Sequence, residues 1–142
     1  MVFLTGEYSH QLDAKNRIRV PSKLKKELGD NYYFAKGTDG CLFIFPEEVA
    51  KEYFARLEEI KISDAEKRRG MRSFIKSFVS AEEDNQGRVV LPANLREFAR
   101  IKKDVVFCGA GNRAELWAKE VYDEYFGEDS MSFDQSFNAL GI

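Results

Sequence analysis

Residues Asp13-Ala14-Lys15-Asn16-Arg17-Ile18-Arg19-Val20-Pro21-Ser22-Lys23-Leu24 return 71 positions later as Asp84-Asn85-Gln86-Gly87-Arg88-Val89-Val90-Leu91-Pro92-Ala93-Asn94-Leu95. A second correspondence follows in the same order. Phe45-Pro-Glu-Glu-Val49-Ala-Lys-Glu-Tyr53-Phe54 matches Trp117-Ala-Lys-Glu-Val121-Tyr-Asp-Glu-Tyr125-Phe126 at an offset of 72, which Gly37 and Gly109 share. One extra residue is therefore expected in the second copy, between Leu95 and Gly109. Ordered self-similarity of this kind marks a chain made of two copies of one structural unit, here about 55 residues long. The division it suggests is residues 1–60 for the first repeat, 61–77 for a helical insert, 78–126 for the second repeat and 127–142 for a tail.

Each unit reads alike. A turn rich in turn formers (13–16, 84–87) leads into a short β-branched strand (17–20, 88–91). In the first copy Ile18 and Val20 take one face, Arg17 and Arg19 the other. Pro21 and Pro92 end the strand and suit the first turn of a helix (22–28, 93–99) with Leu24 and Leu28, or Leu95, Phe98 and Ala99, on one stripe. Gly29 is a C-terminal stop, and Arg100 in its place implies a different closure. Two strands follow, 32–35 and 42–45 in one copy and 105–108 and 115–117 in the other, around turns of Gly, Asp and Asn. A second helix (47–59, 119–126) closes the unit. In the insert, Ser63-Asp-Ala-Glu66 reads as a capping box opening a helix over 64–77 with Met71, Phe74, Ile75 and Phe78 apolar. A strand over 78–82 matches one over 7–11. The tail is polar with scattered Met131, Phe133, Phe137 and Leu140, and is expected to be partly flexible or to dock on a neighbour. The fold class is α+β and β-rich.

Function is bounded by what is missing. No apolar run approaches membrane-spanning length, and the first residues lack the basic start and long apolar stretch of a signal peptide, so a cytoplasmic protein is expected. His10 is the single histidine, which leaves no room for His-based triads or multi-histidine metal sites. Cys41 and Cys108 are expected to be buried free thiols. There is no Walker or Rossmann glycine loop, metal-ligand cluster or nucleophile motif, so neither catalysis nor a cofactor is expected.

The chemistry sits in Asp-x-x-x-Arg, present twice. The Asp can accept backbone N–H bonds within its turn and aim the Arg. A guanidinium held in this way suits phosphate, carboxylate or the guanine N7/O6 edge; the competing reading is an Asp–Arg pair that does no more than fix the turn. Trp117 and the tyrosines of both second helices read as core. The Lys67, Arg68, Arg69, Arg72 run reads as a solvated helix face, as do Lys23, Lys25 and Lys26, with some reach toward phosphate.

These residues resemble the MraZ family of bacterial transcriptional regulators, in the SpoVT/AbrB-like DNA-binding group. The resemblance rests on Gly6-Glu-Tyr8, Leu12-Asp13-Ala-Lys15-x-Arg17, Val20-Pro21, Asp84-x-x-x-Arg88 and Leu91-Pro92, and covers residues 1 to about 126. It implies two swapped-hairpin AbrB-like repeats forming a double-split β-barrel pseudo-dimer, assembled into a ring of subunits. It implies binding to repeated short DNA boxes, mainly as a repressor of the division and cell-wall gene cluster that includes its own promoter, in the nucleoid. Carried over, the DNA-contact residues are Lys15, Arg17, Arg19 and Arg88, with Asp13 and Asp84 as positioning residues. Because Gln86 and Val90 stand where the first copy has Lys15 and Arg19, the N-terminal half is expected to supply more charge. The alternative is a protein-binding module, antitoxin-like or scaffolding, on the same barrel.

The 22 basic and 24 acidic side chains nearly cancel, but not locally. Residues 61–76 hold six basic and two acidic side chains, whereas 105–142 hold two basic and seven acidic. A mild net charge therefore conceals a segregated one.

Overall fold

The computed structural model describes residues 2–142. The N-terminal strand β1 (Glu7–Gln11) precedes the first motif strand β2 (Arg17–Arg19), helix α1 (Ser22–Leu28), strands β3 (Tyr32–Lys36) and β4 (Leu42–Pro46) and helix α2 (Glu47–Glu58). Helix α3 (Ala65–Ile75) then leads into β5 (Val79–Ser80), β6 (Arg88–Val90), α4 (Ala93–Phe98), β7 (Asp104–Gly109), β8 (Ala114–Ala118), α5 (Lys119–Tyr125) and α6 (Phe133–Ala139).

The repeats interlock by exchanging strands. One six-stranded antiparallel sheet runs β1-β7-β8-β4-β3-β5, so each repeat's leading strand lies against the other repeat's hairpin. β2 and β6 form a separate two-stranded ribbon in which Ile18 faces Val89. The order is palindromic under exchange of the repeats, and an approximate two-fold axis passes by the Ile18–Val89 and Phe43–Glu115 pairs. The six-stranded sheet, the ribbon and six helices establish the α+β class.

Strand register sharpens the repeat. Tyr8 faces Phe107 as Val79 faces Phe34, so β3 and β7 are related by 73 positions. β4 and β8, paired with them, are related by 72. Two residues are thus gained before β7 and one lost in the hairpin; the expected single insertion was their sum. Gly109 consequently occupies the place of Lys36, at the end of its strand, and is not the counterpart of the turn residue Gly37. The turn at Gly37 closes through Asp39 and Gly40, both at positive φ, with the Cys41 amide donating to the Thr38 carbonyl at 3.2 Å. That is the mirror-image geometry a right-twisted hairpin favours.

Period-two alternation sorts the sheet's side chains onto two faces. Phe34, Leu42, Ile44, Val105, Phe107 and Leu116 point to the ribbon side, where Ile18, Val20, Val89 and Leu91 meet them, with Leu24 and Leu28 of α1 and Leu95 of α4. Ala35, Phe43, Phe45, Val106 and Trp117 point to the other side, against Val49 and Ala50 of α2, Phe74 of α3 and Tyr122 of α5.

Local departures have local causes. Pro21 and Pro92 sit one position before their helices with extended backbones, and their carbonyls accept the first helical amides. Gly29 and Arg100 both take positive φ, but the second end also closes by an Ile101 amide donated to the Arg96 carbonyl at 2.9 Å. Asp64, not Ser63, caps α3, accepting from the Lys67 amide at 3.1 Å, so the box assigned to Ser63 gives way to a single acidic cap. β5 is only two residues long, Val79–Ser80, not the expected 78–82, although the Ala81 amide still donates to the Tyr32 carbonyl at 2.9 Å. The tail holds a helix where none was expected: α6 opens on a true capping box between Ser132 and Gln135. Phe98 is exposed, with the Lys36 ammonium 5.1 Å over its ring. Both cysteines are free; Cys41 is buried but Cys108 only partly so, and burial pushes both thiols up to about 12. Among the described residues no helix is long and apolar enough to cross a membrane.

Candidate nucleic-acid interface

The two motifs fold into superimposable loops. Asp13 Oδ1 accepts the Lys15 and Arg17 amides, both at 2.9 Å, and its Oδ2 accepts Arg17 Nε at 2.7 Å. Asp84 repeats this: Oδ1 takes the Gln86 and Arg88 amides at 2.9 Å, and Oδ2 takes Arg88 Nε at 2.8 Å. Each turn closes through the Asn16 or Gly87 amide to its Asp carbonyl at 3.0 Å, with that residue at positive φ. Asparagine and glycine are the residues that tolerate this conformation. The amides are satisfied inside the loop, so the loop can stand at the surface without help from the core.

These bonds favour the carboxylate form. The Arg17 backbone N–H, more than the guanidinium beside it, holds Asp13 below the ordinary carboxylate range, and the Arg88 N–H does the same for Asp84. Depressed carboxylates stabilise the fold above their ordinary range, near 3.8, and lose that contribution as pH falls through the lower folded value. The loops therefore stay set throughout the neutral range.

The antiparallel ribbon then assembles both motifs on one face. Ile18 and Val89 point inward, while Arg17, Arg19, Arg88 and Val90 share the outer face. Arg17 is opposite Val90, and Arg19 is opposite Arg88. Arg19 Nε donates to the Gln86 carbonyl at 2.9 Å, reaching across to the second motif's turn. All three guanidinium groups are thus anchored through Nε, and among the described residues no hydrogen bond involves their Nη atoms. Each presents a free two-pronged end, a rigid fork matched to phosphate or to the guanine edge.

The structure brings Asp13, Arg17, Arg19, Asp84 and Arg88 together. Lys15 lies in the first turn, exposed, with its amide in the Asp13 bond and no ion pair among the described residues. The asymmetry expected from composition is distributed differently: Arg19 belongs to the first copy's sequence but serves the second copy's loop. Only the cross-strand register reveals this, and composition carried no signal of it. Lys25 turns away from the outer face, lying 3.5 Å from Glu83 and over the Tyr32 ring. The insert's basic run lies on α3, which packs on the sheet face opposite the ribbon. Among the described residues no His, Cys, Asp or Glu cluster could hold a metal.

Comparison with known proteins finds one family along most of the chain. The model of a family described as "MraZ protein, putative antitoxin-like" matches residues 3–73 and again 78–140. A protein of Thermoanaerobacter pseudethanolicus named transcriptional regulator MraZ is 42% identical over 132 residues, spanning 93% of this chain and 92% of that protein. One of the same name from Clostridium beijerinckii is 40% identical over 140 residues, 96% of this chain and 98% of its own. Another, from Carboxydothermus hydrogenoformans, is 36% identical over 130 residues.

Proposed function

The chain belongs to the MraZ family, and from that footing we propose that it is a sequence-specific DNA-binding transcriptional regulator whose contact surface is the β2–β6 ribbon. The observation that carries this is the row of three guanidinium groups, each tied back through Nε and open at its Nη end. A two-stranded ribbon is one of the shapes the major groove of B-DNA admits, and an arginine fork reading guanine O6 and N7 is the commonest base-specific contact there. Arg17, Arg19 and Arg88 make those contacts, Lys15 adds a phosphate contact beside the first turn, and Asp13 and Asp84 hold the forks without touching DNA. The exchanged strands and the ribbon suit a double-split barrel in which the repeats act as a pseudo-dimer.

One ribbon offers few cations, so affinity for a single box is low and falls steeply with salt. A ring of chains on repeated boxes makes later contacts intramolecular, which raises avidity by roughly 10²–10⁴ where spacing fits. The role that follows is repression of a division and cell-wall gene cluster, including its own promoter, by a cytoplasmic protein resident on the nucleoid. The name of the relatives supports a transcriptional regulator, and the paired motifs support a DNA-contact surface; catalysis and cofactors have no place in this reading.

The test is an electrophoretic shift on promoter DNA bearing repeated boxes, with scrambled DNA of equal length as control. A shift confined to the boxed DNA, lost disproportionately when half the boxes are removed, is expected. Equal binding to both DNAs, or none to either, would move the assignment to a protein-binding module.

A further inference from the structure

The same aromatic cluster is built twice but covered once. In the first repeat, Phe45, Tyr53 and Phe54 are capped by Phe74 of α3 and the following Phe78, with ring centroids 4.8–6.2 Å apart. In the second, Trp117, Tyr125 and Phe126 occupy the matching positions, 5.1 and 5.7 Å from ring to ring around the indole. Tyr125 and Phe126 are left 47% and 56% exposed. The segment beyond them adds Met131, Phe133, Phe137 and Leu140, all exposed, and α6 buries no residue at all. A run of exposed large apolar side chains along one segment suits an interaction surface, and Tyr, Phe and Met are the residues such surfaces favour.

Charge identifies the occupant. Lys119 and Asp123 pair with each other, but Glu120, Glu124, Glu128 and Asp129 enter no ion pair among the described residues. The complementary surface is on this same chain. Arg69, Arg72 and Lys76 follow one another at helical spacing along the outer side of α3, exposed and unpaired among the described residues, and line a shallow groove with Arg68. Guanidinium groups satisfy carboxylates and also stack on aromatic faces.

We propose that the outer face of α3 in one copy docks against the acidic, aromatic α5–α6 segment of the next copy, and that this head-to-tail contact closes the ring. It rests on the reading of the protein as a ring-forming regulator and identifies the surfaces that join. A patch meeting a different patch on an identical molecule is a heterologous interface, which forms a ring where the rotation from copy to copy closes. The basic run of α3 is thereby used between subunits, on the side opposite the ribbon that meets DNA.

Charge reversal tests the pairing. One full-length variant carries Arg69→Glu, Arg72→Glu and Lys76→Glu; a second carries Glu120→Lys, Glu124→Lys and Glu128→Lys; a third carries all six. Size exclusion with light scattering at about 10 μM is expected to show assembly of the unaltered protein, monomers for each triple variant alone, and restored assembly both for their equimolar mixture and for the sixfold variant. Misfolded chains could not rescue one another, so the mixture guards against that explanation. Assembly of either triple variant alone, or monomers that fail to combine, would overturn the pairing while leaving a ring in place. A monomeric unaltered protein would overturn the ring reading itself and the interface with it.

Discussion

The two repeats are most alike where the backbone is most exposed and least alike where it is covered. Asp13 and Asp84 make the same three bonds to within 0.1 Å. The sheet beneath them differs: the hairpins differ in length, one aromatic cluster is capped and the other open, and Lys36 in one copy is Gly109 in the other. A turn that satisfies its own amides needs nothing from its neighbours and can be copied unchanged. A position inside the interlocked sheet must fit whatever crosses it, and different segments cross the two copies.

The largest expected difference lies at that last pair. Gly109 passes under the N-terminal segment, where the Leu4 amide donates to the Gly111 carbonyl at 2.7 Å and the Gly109 amide to the Gly6 carbonyl at 2.8 Å. A Cβ at Gly109 would overlap the Thr5 backbone and the Leu4 carbonyl carbon, neither of which can rotate aside. Gly109→Ala is expected to cost about 3 kcal/mol or more, whereas Lys36→Ala at the equivalent place should stay within about 1 kcal/mol. Urea unfolding of both variants decides it; equal costs would mean that the crossing is not tight.

The capped and open aromatic clusters should differ nearly as much. Phe74 lies among Phe45, Tyr53 and Phe78, and Phe74→Ala is expected to remove about 2–3 kcal/mol. Phe137, exposed and stacked on Phe133, should cost the folding of one chain no more than about 0.5 kcal/mol when replaced by Ala. A large loss at Phe137 in a monomeric charge-reversed variant would show that α6 packs on its own chain.

Both motifs should break. Arg17→Ala or Arg88→Ala is expected to weaken binding to boxed DNA at least tenfold, the worth of one good base contact, with Arg17 at least as costly as Arg88. Asp13→Ala and Asp84→Ala should each give a smaller, severalfold loss, because the fork remains but is no longer aimed. Unchanged affinity in both arginine variants would remove the ribbon as the reading surface.

How much of this was legible follows the same line between self-contained and shared structure. The repeat, its strands and helices, and the Asp–Arg pairs could be read from residues close in sequence, since the Asp13 side chain bonds to Lys15 and Arg17 of its own turn. The reach of Arg19 into the turn at Gln86 could not, because it depends on which residues of β2 and β6 face each other across 67 positions. The paired insertion and deletion around β7 was hidden for a similar reason: the residue count registers only their sum, and strand register separates them. Tyr125 reads as core because it stands at the position of Tyr53 in the other copy; Tyr53 is half-buried under α3, an element with no equally placed partner after α5, and Tyr125 is exposed.

The finest difference between the repeats is a single side chain on the ribbon's outer face. Arg19 anchors on the far turn beside Arg88, and the approximate two-fold axis carries its place to Val90, beside Arg17. Val90 is exposed and supports nothing beneath it. Val90→Arg would bring a fourth fork within reach of the Lys15 carbonyl, the counterpart of the Gln86 carbonyl that holds Arg19. Like charges directly across a strand pair repel, so stability should fall, but by less than about 1 kcal/mol, since Arg19 and Arg88 already share that arrangement. Affinity for boxed DNA should rise severalfold and its salt dependence steepen by about one unit of slope per chain, while Arg19→Val moves both the other way. Titration of the two variants at two salt concentrations separates the contributions. If Val90→Arg leaves the slope unchanged while Arg19→Val lowers it, DNA engages the ribbon from the Arg88 side, and the two-fold symmetry of the fold does not extend to its use.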